Sequence, residues 1–129
     1  MSLLTASAVL LSLAASPEPT LIVSYQSLGV EPGTVTSILE GFREAVKRPS
    51  LEVLPAAESE KVNRSATMCG EDGACLSTVG QRSGARWVLA FGVGKVGTSL
   101  LLSAVFVDVA AGKEVIRGSR RVPEGITDW

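Results

Sequence analysis

The sequence predicts an α/β (α+β) fold: a single mixed β-sheet of about five strands with two or three helices packed on it, in the order β-α-β-α-α-β-β-β. Three observations carry that expectation. The composition, 46% hydrophobic and 19% charged, suits one packed core in a chain of 129 residues. One segment repeats its apolar residues with helical spacing, and several β-branched runs are separated by glycine-rich turn signals.

Thr20 to Tyr25 is apolar and β-branched and reads as a buried strand. Gly29, Pro32 and Gly33 mark a loop, with Thr34 as an N-cap. Val35, Ile38, Leu39, Phe42 and Val46 then line one face of a helix that leaves Arg43, Glu44 and Lys47 outward and stops at Pro49. Leu51 to Leu54 reads as a short strand, Ala56 to Ala66 as a polar helix, and Gly73 to Ser83 as a third helix ended by Gly84. Arg86 to Val93, Ser99 to Val109 and Glu114 to Val122 follow as strands, with turns at Gly94 to Gly97 and Asp108 to Lys113. The apolar runs Leu100–Leu102 and Ala104–Val107 point to a central strand covered on both faces. Trp87, at the head of an apolar strand, reads as core, and Trp129 ends the chain.

Function classes narrow by elimination. The chain has no histidine, so Ser-His and Cys-His nucleophile schemes are excluded, and no cluster of carboxylates, lysine or tyrosine replaces them. No catalytic, cofactor-binding or metal-ligating residue is assigned, and the expectation is a non-enzymatic domain. With Lys+Arg 12 against Asp+Glu 13, the net charge of -1 gives no bulk attraction for nucleic acid. Lys113, Arg117, Arg120 and Arg121 gather near the C-terminus and read as the solvated edge of a terminal strand. Gly92, Gly94 and Gly97 spell a G-x-G-x-x-G pattern, the alternative being a small-ligand or nucleotide site. Such a site requires a helix after Gly97, whereas Leu100 to Val107 looks like strand, so a hairpin turn explains the glycines. Cys69 and Cys75 flank a short loop with two glycines. In an oxidising compartment they form a disulfide; otherwise they are two free buried thiols. Adjacent Glu71 and Asp72 suit a helix start.

The first segment reads as a leader over residues 1–15, with the domain over 16–129. Leu3 to Ala15 is apolar or small, too short to span a bilayer, and of the length of a signal-peptide core. Ser12 and Ala14 satisfy the small-x-small rule for cleavage after Ala14, although no basic residue opens the segment.

The ordered pieces Cys69…Cys75-Leu76…Val79-Gly80…Gly84-Ala85-Arg86-Trp87-Val88-Leu89-Ala90-Phe91-Gly92, then Val96-Gly97…Leu100-Leu101-Leu102, then Val107-Asp108-Val109…Gly112-Lys113, resemble a group of bacterial periplasmic domains. These are the N-terminal α/β domains of TolB-like proteins and their CsgG-like and FlgO-like relatives. The resemblance spans residues 20–122. It implies a periplasmic or outer-membrane-associated interaction domain with protein partners in the envelope, room for peripheral membrane association, and no catalytic residues. Such domains usually continue into another helix where this chain has Asp128-Trp129.

Overall fold

A computed structural model describes residues 17–47 and 50–123. The leader, Pro49 and the segment from Glu124 to Trp129 lie outside the described residues. The elements are β1 (Glu18–Leu28), α1 (Pro32–Ala45), β2 (Leu51–Val53), α2 (Ala56–Cys69), α3 (Gly73–Arg82), β3 (Trp87–Val96), β4 (Ser99–Asp108) and β5 (Lys113–Pro123). They form one five-stranded sheet in the order β2-β1-β3-β4-β5. β1 runs parallel to both β2 and β3, and β3, β4 and β5 form an antiparallel meander. The mixed sheet and the element order match the expectation from sequence.

The two crossovers run in opposite directions across the sheet, β1 to β2 and then β2 to β3. Right-handed crossovers of opposite direction must lie on opposite faces, and the helices do. On one face Val35, Ile38, Leu39, Phe42 and Val46 of α1 and its flank pack on Ile22, Leu89, Phe91 and Val93. On the other, Val62, Ala66, Leu76 and Val79 of α2 and α3 pack on Leu21, Val23, Tyr25, Val88, Ala90, Val105 and Val107. β1 and β3 are therefore sandwiched, which is why their sequences are continuously apolar instead of alternating.

Local chemistry sets the boundaries. Helix α1 begins three residues earlier than expected: Glu31 is the N-cap, without a side-chain cap bond, and Pro32 takes the first turn in place of a Thr34 cap. Helix α3 is capped by Asp72, whose carboxylate accepts from the Cys75 amide at 3.2 Å. It closes with Gly84 at φ 71°, Ala85 N–H donating to Gly80 and Gly84 N–H to Gln81, a Schellman arrangement that only glycine enters without strain. The β3–β4 turn is tighter than expected. Val96 pairs with Ser99, leaving Gly97 and Thr98 as a two-residue turn with Gly97 at φ 63°, and Gly94 lies inside β3.

β2 is only three residues long and covers Glu18 to Thr20 of β1. Beyond it the β1 edge would expose carbonyls. Leu54 N–H caps Thr20 O at 2.9 Å, and the buried Ser59 hydroxyl of α2 caps Ile22 O at 2.5 Å. Arg43 reaches from α1 to the same place, donating to Leu54 O at 2.6 Å and Ser59 Oγ at 3.3 Å, so the two helical layers are joined around this edge.

Candidate docking face at the β5 edge

The layers are unequal, and this creates the site. Five strands at ~4.8 Å spacing make a sheet about 20 Å across between outer strand axes, whereas a helix is ~10 Å wide. Two helices cover one face, and α3 reaches β3, β4 and β5. Among the described residues the other face has only α1, which sits over β1 and β3. The part of β4 and β5 beyond it remains open as a groove of about 480 Å³. Leu102, Ala104 and Phe106 of β4 form its floor, Phe42 of α1 one wall, and Ile116 and Gly118 of β5 the other side. The apolar run of β4 is thus not that of a strand covered on both faces, as its sequence suggests. One of its faces is the floor of this groove.

β5 is the edge of the sheet, and every residue in it except Val122 is exposed. Ile116 is 69% and Val115 60% exposed, unusual for β-branched residues in a strand of 11 residues. Phe106 pairs with Ile116 and Val107 with Glu114, so Val115 is an extra residue, a bulge that bends the strand near the β4–β5 turn.

The opposite side of β5 is clamped to the Cys69–Cys75 loop. The two sulfurs are bonded, with Cα atoms 5.4 Å apart. The closed loop holds Glu71 over the sheet. Its carboxylate accepts from Arg117 Nη1 at 2.8 Å and from the Tyr25 hydroxyl at 2.8 Å, and its carbonyl accepts from Arg117 Nη2 at 3.0 Å. Arg117 Nε also donates to Glu114 at 2.8 Å. Glu71 therefore does not serve the helix start as expected; Asp72 does, and Glu71 ties β1, the loop and β5 together. Gly92, on β3, is where Tyr25 lies: a Cβ there would stand 2.7 Å from the ring. This glycine makes room for an aromatic side chain. With Gly97 in a hairpin turn followed by strand β4, the structure lacks the helix that a phosphate-binding reading of Gly92–Gly97 requires.

Burial, and then the hydrogen bond and charge of Glu71, push the Tyr25 phenol up to about 12, with Ser103 and Arg117 opposing by smaller amounts. Tyr25 is the chain's single tyrosine, so its ionisation can be followed by absorbance without overlap. The titration midpoint of the folded protein is expected near 12, against about 10 for an exposed tyrosine. Glu71→Gln should lower it, because both contributions of Glu71 act upward, while burial keeps it above the ordinary value. The folded pKa is raised, so the associated stability is present below about pH 10 and is lost as pH rises towards 12. A midpoint that Glu71→Gln leaves unmoved would mean that the clamp does not form in solution.

A second junction explains two sequence pieces. Arg86 donates to Asp108 at 2.6 Å and lies 3.3 Å from Glu18, and its guanidinium stacks 4.2 Å over the half-buried Trp87 ring. Asp108 also accepts from Ala111 N–H at 3.0 Å, and Gly112, at φ 69°, completes that turn. The Ala111 amide bond, with Arg86 beside it, holds the Asp108 carboxyl below the usual range. The Gly-Ala-Arg and Asp-x-x-x-Gly pieces meet here as structure. Trp87 is a half-buried partner of Phe106, ring centroids 5.2 Å apart, and not full core.

Among the described residues, no group of three or more His, Cys, Asp or Glu side chains could hold a metal ion, and no helix is long and apolar enough to cross a membrane. The sequence placed the cations of β5 correctly at a strand edge. It did not identify the groove, Tyr25 or the Glu71–Arg117 pair. Their only sequence signals were a lone tyrosine in an apolar strand and a carboxylate inside the cysteine loop.

No protein-family model matches the chain, and no curated protein does. Solved structures do. Lipoprotein GNA1162 from Neisseria meningitidis superposes with a TM-score of 0.63 at 23% identity, over 84% of this chain and 82% of that one. The LpoB C-terminal domain from Salmonella enterica gives 0.58 at 12% identity over 90% and 93%, and that from Escherichia coli 0.59 at 14% over 85% of each. At these identities the likeness is one of fold: the chain has an α/β architecture that also occurs in the Neisseria lipoprotein and in the LpoB C-terminal domain.

Proposed function

We propose that the chain is an exported protein of the bacterial envelope, periplasmic or outer-membrane-associated, that acts without catalysis as an adaptor or assembly module by binding protein at the β5 edge. The observation that carries this reading is the combination of an exposed edge strand and an apolar groove beside it. Backbone donors and acceptors on an open edge can accept another strand, and the groove can take its side chains. The fold shared with a Neisseria lipoprotein and the LpoB domains supports an envelope setting, as do the leader expected over residues 1–15 and the Cys69–Cys75 pair. The sequence resemblance to TolB-like, CsgG-like and FlgO-like domains points the same way.

Photo-cross-linking in the native host tests it. A photoreactive residue at Ile116 or Ser119 should give a discrete heteromeric adduct, whereas one at Met68, 84% exposed on α2, should give none. Adducts from Met68 alone would place the interface elsewhere and overturn the proposal.

A further inference from the structure

Resting on that docking reading, we infer that the β5 edge takes an extended acidic segment of a partner protein, which adds to the sheet as a sixth strand, seats an apolar side chain over Gly118 and sets carboxylates against Arg120 and Arg121. Charge selects this occupant. β5 carries four cations, Lys113, Arg117, Arg120 and Arg121, against one carboxylate, Glu114, in a chain whose overall charge is -1. Arg117 is neutralised by Glu71 and Glu114. Lys113, Arg120 and Arg121 form no ion pair or side-chain hydrogen bond among the described residues, and all three are exposed. Charges of this kind discourage neutral and cationic strands from pairing with an edge. They repel the like-charged β5 of a second copy, and they attract an acidic strand.

Shape selects the side chain. Arg120 pairs with Leu102 and Gly118 with Ala104 in the β4–β5 register, so Arg120, Gly118 and Ile116 share the groove face. A Cβ at Gly118 would meet no atom within 4 Å, which leaves an opening between Ile116 and Arg120. Alternate residues of an added strand face the groove. An apolar residue beside Gly118 and an acid beside Arg120 are therefore the natural sequence pattern. The Glu71–Arg117 clamp holds the strand from its other face, so the edge is already ordered before a partner arrives.

The probe is a short fluorescent peptide carrying one leucine with glutamates two and three residues away from it, the spacing that sets leucine beside Gly118 and the acids beside Arg120 and Arg121. Its controls are the same peptide with lysine for glutamate and a version methylated on alternate backbone nitrogens. Anisotropy with the oxidised protein should show the glutamate peptide bound about tenfold more tightly than either control, and more weakly as salt rises. Arg120→Glu with Arg121→Glu should abolish that preference. Gly118→Leu should weaken binding while leaving the melting temperature unchanged, since its side chain enters open space. Equal binding of the lysine peptide, insensitivity to the charge reversal, or no binding of any peptide would overturn the acidic-strand inference. So would a cross-link from Ile116 to a second copy of the chain. The docking reading is decided separately, by cross-linking: a heteromeric adduct at Ile116 to a basic or helical segment would keep that reading and sink this inference.

Discussion

Phe91→Ala should cost about 4 kcal/mol of folding stability, a large share of the ~5–15 kcal/mol typical of a small domain. Phe91 is fully buried on the sandwiched strand β3, where its ring lies 5.2 Å from that of Phe42, tilted at 41°. It is the largest side chain buried without exposure in the protein's described core. Among the described residues the face it serves has only one helix, so α1 has no helical neighbour there to move into the cavity, and the site collapses poorly. Urea unfolding followed by tryptophan fluorescence gives the value, with the midpoint falling and the slope unchanged. Phe42→Ala should cost less, about 2 kcal/mol, because Phe42 is only partly buried and borders the groove. The pair should be non-additive, since the two rings touch. A Phe91→Ala loss below about 1 kcal/mol would mean that α1 is not packed as described, and the groove, whose wall is α1, would go with it.

This dependence shows why the elements were readable in the sequence and the site was not. Helix α1 is written in the spacing of Val35, Ile38, Leu39 and Phe42, and the end of α3 in Gly84, because helical period and left-handed glycine are local physics. The apolar run of β4 is equally plain, but a run records only that its side chains avoid water and not what covers them. Coverage depends on how many helices each face receives, and that follows from the order β2-β1-β3-β4-β5, which no short window contains. The same holds for Tyr25, Glu71 and Arg117. Tyr25–Glu71 and Glu71–Arg117 are each 46 residues apart, and each residue alone looks ordinary. Gly92 and Gly97 mislead for a related reason. One gives space to the Tyr25 ring and the other gives a hairpin its positive φ, and the resulting spacing imitates a phosphate loop.

Cys69→Ala with Cys75→Ala should lower stability by about 2 kcal/mol, the loop-closure value for so short a ring. Its sharper consequence concerns the docking face. The bridge restrains the loop that carries Glu71, and Glu71 is the group that binds Arg117 of β5 by side chain and backbone together. Without the bridge, ordering Glu71 must overcome the freed loop's entropy. The clamp should then be populated less, the Tyr25 midpoint should fall from about 12 in the direction expected for Glu71→Gln, and amide exchange along β5 should quicken. Strand addition at a less ordered edge should weaken in parallel, because binding must then order β5 as well. Two restraints oppose this outcome: Asp72 still caps α3, and Gly73 packs so closely that a Cβ on it would lie 2.9 Å from the Glu114 backbone nitrogen. If they suffice, the variant will lose stability while Tyr25 titrates as before. The bridge would then act only on the unfolded chain. If both readouts move together, oxidation of this six-residue spacing is what readies the β5 edge for a partner.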